Sequence, residues 1–375
     1  MTYTLLACGS NGNYQLGINN DIDQNTLQPC LFELPHNNKP TSILTKSKPI
    51  KISCGGNHTL ILFDNGDIYS CGDNSFGQCG HPLSQSSYPV FTKIGTQSNW
   101  KDISCGWEFS MLINRDNQVY VCGRGLKGEL GLGNKITQSE LCLLGLDFDI
   151  EEIVDVKSSL DATILRIQNN QLLGWGNCRK GQLGKQLIMS NNKPEPIIWN
   201  PRKLDFGLEA ATNFQFSLGR EFSVFYLGGG VKIHGKSIGL EQASVSNNLS
   251  EVIDIKTMWS SVHQIVRDKL NHLQIESYGN NSHGQLFPEV QSESITDIVN
   301  YAIGSEHGLI STPDSIVYSW GWGEHGNCGI QQQTKDAEDV TFDYLNLLYK
   351  AGNDEKIILL SGGCATSWIL IETST

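Results

Sequence analysis

The stretch GWGEHGNCG, residues 321–329, places three chemically active side chains close together. Glu324, His325 and Cys328 are each able to ligate a metal ion or carry a proton. A zinc site needs three or four convergent ligands, however, and neighbouring Glu and His side chains in a tight loop diverge. No fourth ligand is obvious, and the glycines fit positive φ angles or close backbone approach instead. We therefore expect neither a metal site nor another cofactor here.

Catalysis is not indicated elsewhere in the chain. A Ser-His-Asp or Cys-His arrangement requires specialised groups within hydrogen-bond reach, whereas the Cys and His residues of this chain recur at repeated positions. His58, His263 and His307 share one such position, and we expect them to make buried hydrogen bonds. Recurring cysteines are expected to pack at strand ends: Cys8, Cys54, Cys71, Cys105 and Cys122. The prediction is a protein that is not an enzyme.

The composition excludes several classes of partner. The chain has 375 residues and a net charge of −12, from 39 acidic and 27 basic residues. Wrapping DNA or binding an anionic membrane needs clustered Lys and Arg, so neither is expected, and direct tRNA binding is disfavoured as well. No segment approaches the roughly 20 apolar residues of a membrane helix, and no signal peptide is recognisable. The odd number of cysteines, 11, predicts free thiols in the cytoplasm or nucleus.

The 39 glycines follow a repeat. Nine-residue segments such as GDNSFGQCG (72–80) and GRGLKGELG (123–131) recur along the chain, and the copy around residue 235 is the weakest. The first glycines of the copies are Gly9, Gly72, Gly123, Gly176, Gly235, Gly279 and Gly321. A period of about fifty residues is typical of propeller blades or solenoid units.

Each repeat predicts four antiparallel strands, which we call A to D. In the segment KISCGGNHTLILFDNGDIYSCG (51–72), KISCG is strand A, HTLILF is strand B and IYSCG is strand C. Gly and Asn-Gly turns separate them, and the glycine-rich loop leads to strand D. Seven such repeats predict an all-β, seven-bladed β-propeller that occupies residues 1–375 as a single domain.

The two ends of the chain complement each other. The last repeat supplies strands at Lys356–Ser361 and Ser367–Glu372 but has no glycine-rich loop, and Tyr3–Cys8 followed by Gly9 supplies the missing strand and loop. We therefore expect the N- and C-terminal strands to close the ring within one blade. Asn19–Ile50 and Gln331–Glu355 are rich in polar residues and are predicted as loop insertions, at about 19–50 and 331–355.

Alternating strand direction places the A–B turns and the C–D loops on one face of the disc. The residue before the His position of each A–B turn forms a rim on that face, in which four of the seven residues are acidic. These residues are Asn57, Glu108, Asp161, Glu221, Val262, Glu306 and Ala365. An acidic rim fits either a binding surface or solvated turns without a partner, and the sequence does not say which face binds.

Three tryptophans interrupt the repeat. Trp107 replaces a small residue of an A–B turn, Trp322 replaces the usual Asn of a C–D loop, and Trp259 precedes a turn. Exposed Trp among polar groups anchors interfaces, whereas buried Trp fills the core, and both interpretations stay open. The predicted partner-binding residues are Trp107, Glu108, Trp259, Glu306, Trp322, Glu324 and His325.

The pattern SCGGNHT…DNGDIYSCGDNSFGQCG (53–80) resembles the repeat of the regulator of chromosome condensation family, whose members are seven-bladed propellers. WGWGEHGNCG (320–329) and GGCATSWIL (362–370) resemble in addition a fungal subgroup of that family. This resemblance implies a heterodimer with a small zinc- or iron-binding CSL-type protein, the diphthamide biosynthesis protein three. Through that partner, it implies support of the Elongator complex in modifying tRNA wobble uridines, and of diphthamide synthesis on elongation factor two.

Two other functions stay open. The founding member of the family exchanges guanine nucleotides on a Ran-like GTPase, an activity that the resemblance links to a wedge-shaped insertion and a basic tail. This chain begins and ends with a strand and shows no basic tail, so exchange activity is the second hypothesis. A propeller enzyme with a site in the central channel is the third.

Overall fold

The structure, a computed structural model of the chain, describes residues 1–34, 39–148, 150–189, 191–208, 214–228, 230–236, 239, 251–288, 297–333 and 339–374. These residues form strands, turns and one short 3₁₀ helix at Gln168–Asn170. The strands assemble into seven antiparallel sheets. This arrangement confirms the predicted all-β, seven-bladed β-propeller. Among the described residues, no helix is long and apolar enough to cross a membrane.

The strands of the first half, in chain order, are β1 (Thr2–Gly9), β2 (Gln24–Pro29), β3 (Ile43–Leu44), β4 (Pro49–Cys54), β5 (His58–Phe63), β6 (Ile68–Asp73), β7 (Ser87–Lys93), β8 (Trp100–Cys105), β9 (Phe109–Asn114), β10 (Val119–Arg124), β11 (Gln138–Leu143), β12 (Ile153–Ser158), β13 (Ala162–Ile167) and β14 (Leu172–Asn177). Those of the second half are β15 (Ile197–Lys203), β16 (Gln215–Leu218), β17 (Phe222–Tyr226), β18 (Val231–Gly235), β19 (Glu251–Thr257), β20 (Ser261–Arg267), β21 (Leu273–Gly279), β22 (Asn300–Ile303), β23 (His307–Ser311), β24 (Ile316–Trp322), β25 (Thr341–Lys350), β26 (Glu355–Gly362) and β27 (Thr366–Thr373).

Six blades follow one another along the chain, and a closure blade combines its two ends. Blades 1 to 3 are β4–β7, β8–β11 and β12–β15, and blades 4 to 6 are β16–β18, β19–β21 and β22–β25. The closure blade is formed by β26, β27, β1 and β2, with β3 beside β1. In it β1 pairs with β27 along its whole length, from Thr2 opposite Thr373 to Gly9 opposite Thr366. This pairing confirms the predicted ring closure.

The core lies between neighbouring blades. Strand B of blade 1, HTLILF, and strand B of blade 2, FSMLIN, are buried at every position, because both faces of each sheet pack against other sheets. The A strands lie at the centre, where β8 contacts both β4 and β12 and where β26 contacts β4. The A–B turns therefore surround the central axis, and the C–D loops lie outside them.

The strand register corrects the alignment of blade 5. The repeat glycine of strand C lies opposite His58 in blade 1, but in blade 5 Gly279 lies opposite Ser261 rather than His263. The rim residue of this blade is therefore Ser260, not Val262, and His263 is not equivalent to His58. Residues two apart on a strand point to the same face, so the sequence pattern fitted either register.

The two polar insertions are not simple loops. In the first, β2 pairs with β1, and Cys30 and Phe32 are buried. The Phe32 ring stacks on Phe91 of blade 1 with centroids 4.9 Å apart. In the second, β25 pairs with β24 as the outer strand of blade 6. The prediction of loops was wrong at these places, because buried apolar residues and strand pairing lie inside segments whose overall composition is polar.

Candidate functional site

A–B turns and C–D loops share one face, as predicted. In each blade the residue after the repeat glycine, here called the loop position, donates its backbone N–H to the carbonyl of the rim residue over 2.8–3.1 Å. The pairs of loop and rim residues, from the closure blade through blade 6, are Ser10 and Ala365, Asp73 and Asn57, Arg124 and Glu108, Asn177 and Asp161, Lys236 and Glu221, Asn280 and Ser260, and Trp322 and Glu306. The side chains at these two positions are consequently neighbours in every blade.

The A–B turns are linked to one another around the axis. The Trp107 N–H donates to the carbonyl of Leu160 over 2.9 Å, and the Trp259 N–H donates to Ser305 over 2.7 Å. Trp107 belongs to blade 2 and Trp259 to blade 5, yet their rings lie 5.9 Å apart between centroids. The two rings therefore meet across the mouth of the central channel. Trp107 is 41% exposed, so this aromatic pair faces solvent.

Basic residues neutralise most of the acidic rim. Glu108 accepts two hydrogen bonds from the Arg124 guanidinium, at 2.7 and 3.0 Å. Asp161 lies 2.8 Å from the Lys127 ammonium, and Glu221 pairs with its own loop residue, Lys236, at 3.3 Å. Exposed pairs of this kind contribute little to stability. Their effect here is to pair the rim carboxylates of blades 2 to 4 with cations.

Blade 6 departs from that pattern. Trp322 occupies the loop position that Arg124 occupies in blade 2, so Glu306 forms no ion pair with another residue of the described ranges. Its carboxylate accepts a hydrogen bond from the Ser260 hydroxyl at 2.8 Å. Burial raises the pKa of Glu306, against the opposing effects of the Ser260 hydrogen bond and the Arg220 charge. Glu306 is therefore a partly desolvated carboxylate that feels the Arg220 charge but forms no ion pair with its own loop residue.

An aromatic stack lies in the same depression as this carboxylate. The Trp322 indole lies parallel to the His283 ring, with centroids 4.4 Å apart and an interplanar angle of 13°. His283 belongs to the C–D loop of blade 5, so the stack joins two blades. Both rings are partly exposed, and both line a depression that also contains Glu306.

Two cavities thus lie side by side on the face of the A–B turns. The first, of about 620 Å³, is lined among others by Trp107, Arg124 and Arg179, and we call it the cationic cavity. The second, of about 550 Å³, contains Glu306 and Trp322, and we call it the aromatic cavity. Trp259, Arg220 and Glu221 line both, so these residues form the ridge between the two cavities.

The three reactive residues of the 321–329 stretch point in different directions. Cys328 is buried and packs in a cluster with Phe342, whereas Glu324 is exposed. The His325 Nδ1 lies 2.8 Å from an oxygen of Asp23, in the first insertion. Neither Glu324 nor His325 lines either cavity. Across the described ranges, no cluster of three or more His, Cys, Asp or Glu side chains is arranged to hold a metal ion.

Two of the three recurring histidines join neighbouring blades. His58 Nε2 lies 2.8 Å from the Ser110 hydroxyl of blade 2, and His307 Nε2 lies 3.0 Å from Ser367 of the closure blade. Burial lowers the pKa of each to about 4. His263 instead contacts two serines of its own blade. The predicted buried hydrogen bonds are confirmed for all three. The recurring cysteines likewise lie in the interior or at its edge, and burial raises the pKa of each thiol.

The sequence placed the tryptophans on the face of the A–B turns, where they lie, but the basic residues beside them were not predicted. Arg124 and Lys236 follow a repeat glycine, so aligning that position across the repeats would have shown that it opposes the rim acids. Arg179, Arg220 and His283 carry no comparable signal, because their neighbours across the cavities come from other blades.

Comparisons with known proteins agree with this architecture. Models described as the regulator of chromosome condensation (RCC1) repeat match residues 50–78 and 100–129, and residues 4–62 and 65–113. The chain is 31% identical over 381 residues to an RCC1 repeat-containing protein of Schizosaccharomyces pombe, an alignment that covers 98% of this chain and 99% of the relative.

Two further similarities are more distant. A human RCC1-like G exchanging factor-like protein is 28% identical over 186 residues, which cover 47% of this chain and 39% of that protein. The crystal structure of human WBSCR16 has a TM-score of 0.74 at 15% identity, over 99% of this chain and 100% of the other, and supports the fold alone. The chain is thus a member of the RCC1 repeat family.

Proposed function

We propose that this chain is a non-enzymatic docking protein of the cytoplasm and nucleus, whose partner is a small metal-binding CSL-type protein, the diphthamide biosynthesis protein three. In this role it would support Elongator-dependent modification of tRNA wobble uridines and diphthamide synthesis on elongation factor two. The resemblance of residues 320–329 and 362–370 to the killer-toxin-insensitivity propellers of fungi supports the choice of partner. The partner would supply the metal and its chemistry.

The observation that carries the docking role is that Trp322 occupies the loop position of blade 6, where blades 2 and 4 have the cations Arg124 and Lys236. Trp322 leaves the Glu306 carboxylate partly buried beside aromatic rings and without an ion pair to its loop residue. A Lys or Arg side chain from a partner would satisfy the carboxylate and lie against the Trp322 face. Trp and charged anchors in a half-closed pocket are typical of interface hot spots.

A calorimetric titration of the purified chain with the CSL-type protein tests this proposal. We expect one-to-one binding that Trp322→Ala combined with Glu306→Gln weakens by about thirtyfold or more, because a hot spot contributes roughly 2 kcal/mol or more. The matched control is Trp199→Ala with Glu251→Gln, since neither residue lines the cationic or the aromatic cavity. Equal affinity in both variants would move the site elsewhere, and no binding to the wild-type chain would contradict the choice of partner.

Guanine-nucleotide exchange is the second candidate, because one relative is named as an RCC1-like G exchanging factor-like protein. Its test is release of labelled GDP from a Ran-like GTPase. Acceleration by catalytic amounts of this chain would favour exchange over docking.

Enzymatic chemistry in the central channel is less well supported. The space between the A–B turns is only about 150 Å³. Burial raises the pKa of its cysteines, Cys54 to about 12 and Cys105 and Cys364 to about 11. Thiols with such pKa values are poor nucleophiles at neutral pH.

A further inference from the structure

We infer that the cationic cavity binds an acidic peptide segment, with carboxylates on its free cations and an apolar side chain against the Trp107–Trp259 pair. The inference rests on the proposed function only in treating this face as a protein-docking face. It adds a second contact region and the chemistry of what that region recognises.

The charge of the cavity is carried by cations that its own carboxylates do not neutralise. Arg179, Lys180 and Arg220 are exposed and line the cavity, and none forms an ion pair with another residue that the structure describes. Three of the acids nearby are already paired, Glu108 by Arg124, Asp161 by Lys127 and Glu221 by Lys236. The fourth, Glu129, is buried and accepts the Lys127 backbone N–H. In a chain of net charge −12, the lining of this cavity thus holds, among the described residues, five basic and four acidic ones, and three of the basic ones are outside ion pairs.

Apolar surface adjoins these cations. Leu126, from the C–D loop of blade 2, is 59% exposed, and Trp107 is 41% exposed. Both line the cavity together with Trp259. Apolar groups this exposed beside free cations match a ligand in which carboxylates and apolar side chains alternate. In an extended strand, side chains on one face recur every roughly 7 Å, so a short peptide presents both kinds in turn.

The same geometry disfavours a polyanion such as RNA. Glu108, Asp161 and Glu221 stand in the cavity wall among the cations. A continuous row of phosphates would meet these carboxylates as well as the cations, whereas a peptide carries separate carboxylates that reach single cations. The volume of about 620 Å³ is suited to a few side chains rather than a folded domain.

Fluorescence anisotropy with a labelled peptide tests the inference. The probe is a ten-residue peptide that alternates Glu with Leu or Phe, at low and at raised salt. The test variant is Arg179→Glu with Lys180→Glu, two exposed residues that line the cationic cavity and not the aromatic cavity. The control is Arg115→Glu with Lys269→Glu, because both residues are exposed in B–C turns on the opposite face. Each pair changes the net charge by −4, from two changes of −2.

We expect saturable binding to the wild-type chain, a loss of about tenfold or more in the test variant, and a change within about twofold in the control. Three results would overturn the inference: no saturable binding to the wild-type chain, equal losses in the two variants, or tighter binding of a ten-nucleotide oligouridylate than of the peptide.

A parallel titration with the CSL-type protein separates the two proposals. Peptide failure with intact partner binding removes only this inference, and partner failure with intact peptide binding removes only the proposed partner.

Discussion

The cationic and aromatic cavities both contain a rim acid beside a loop residue, and the loop residue is Arg124 in the first and Trp322 in the second. In both, a loop residue follows the repeat glycine, and its N–H binds the carbonyl of a rim acid. In blade 2 the loop residue is Arg124, which forms an ion pair with Glu108. In blade 6 the loop residue is Trp322, which cannot form an ion pair with Glu306. The repeat therefore fixes the backbone, and the residue at the loop position decides what each part of the face can bind.

The two regions are not independent, because they share the Trp259 and Arg220 ridge. Trp259 touches Trp107 on one side and lines the Glu306 depression on the other. Arg220 supplies a free cation to the first cavity, and its charge opposes the rise in the pKa of Glu306 in the second. A partner that covers both cavities would thus meet opposite charges on either side of one tryptophan.

The largest expected effect comes from removing that tryptophan. Trp259→Ala takes away a wall of both cavities, so we expect it to weaken the CSL-type protein and the acidic peptide together. The expected loss is about 2–4 kcal/mol for the protein partner, as for a central interface tryptophan. Calorimetry measures the first loss and anisotropy the second.

The control for Trp259→Ala is Trp199→Ala, and thermal unfolding of both variants measures any damage to the fold. Trp259 donates its backbone N–H to Ser305 and is partly exposed, so the ring of turns persists without the indole. Loss of one ligand without the other would show that the ridge does not join the two regions.

Much of this comparison was predictable from the sequence. The glycine period gave seven blades, and the complementary ends gave the closure of β1 against β27. Both follow from local patterns that repeat. The alignment failed in blade 5, because Ser261 and His263 lie on the same side of the strand. The strand β25 was missed because polar residues precede it in the sequence, although its own buried positions pack in blade 6.

The site was less predictable than the fold. Trp107 and Trp322 stood out because they break the repeat, but the contact of Trp107 with Trp259 joins blades far apart in sequence. The acidic rim was recognised, yet its neutralisation by Arg124 and Lys127 depends on side-chain pairing that composition does not show. Contacts between residues of one repeat can be predicted from the sequence, whereas contacts between residues of different blades can be recognised only from the geometry of the ring.

The second prediction concerns a variant that gives blade 6 the kind of loop residue found in blade 2. Trp322→Arg places a guanidinium where blade 2 has Arg124, so we expect it to pair with Glu306 and to remove the indole from the aromatic cavity. Partner affinity should fall by about thirtyfold, slightly more than for Trp322→Phe, which keeps an aromatic face. Calorimetry with both variants gives the comparison. Peptide binding at the cationic cavity should change by less than about threefold, and an equal loss for both ligands would contradict the separation of the two regions.

The third prediction uses the Glu306 carboxylate. Because burial raises its pKa above the ordinary 4.5, protonation begins at a higher pH than for a free Glu side chain. The ionised form is the one that attracts a partner cation, so partner affinity should fall as the pH is lowered, beginning at a higher pH than for an ordinary Glu side chain. Titrations at several pH values measure this slope.

Glu306→Gln isolates the carboxylate, since Arg220 and His283 of the same cavity stay unchanged. The variant should bind more weakly at pH 7 and lose most of the slope. A slope equal to that of the wild-type chain would assign the pH dependence to the partner or to another residue.

The smallest effect is expected at the edge of the face. Glu324 was predicted from the sequence as a partner contact beside Trp322, but the side chain is exposed and lines neither cavity. His325 on the same loop is paired with Asp23. A residue at the periphery of an interface contributes little to affinity. Glu324→Ala should therefore change partner affinity by less than about twofold, and mainly through the association rate. Surface plasmon resonance at two salt concentrations measures that rate. A loss as large as that of Trp322→Phe would place the centre of the interface around Glu324 and outside the aromatic cavity.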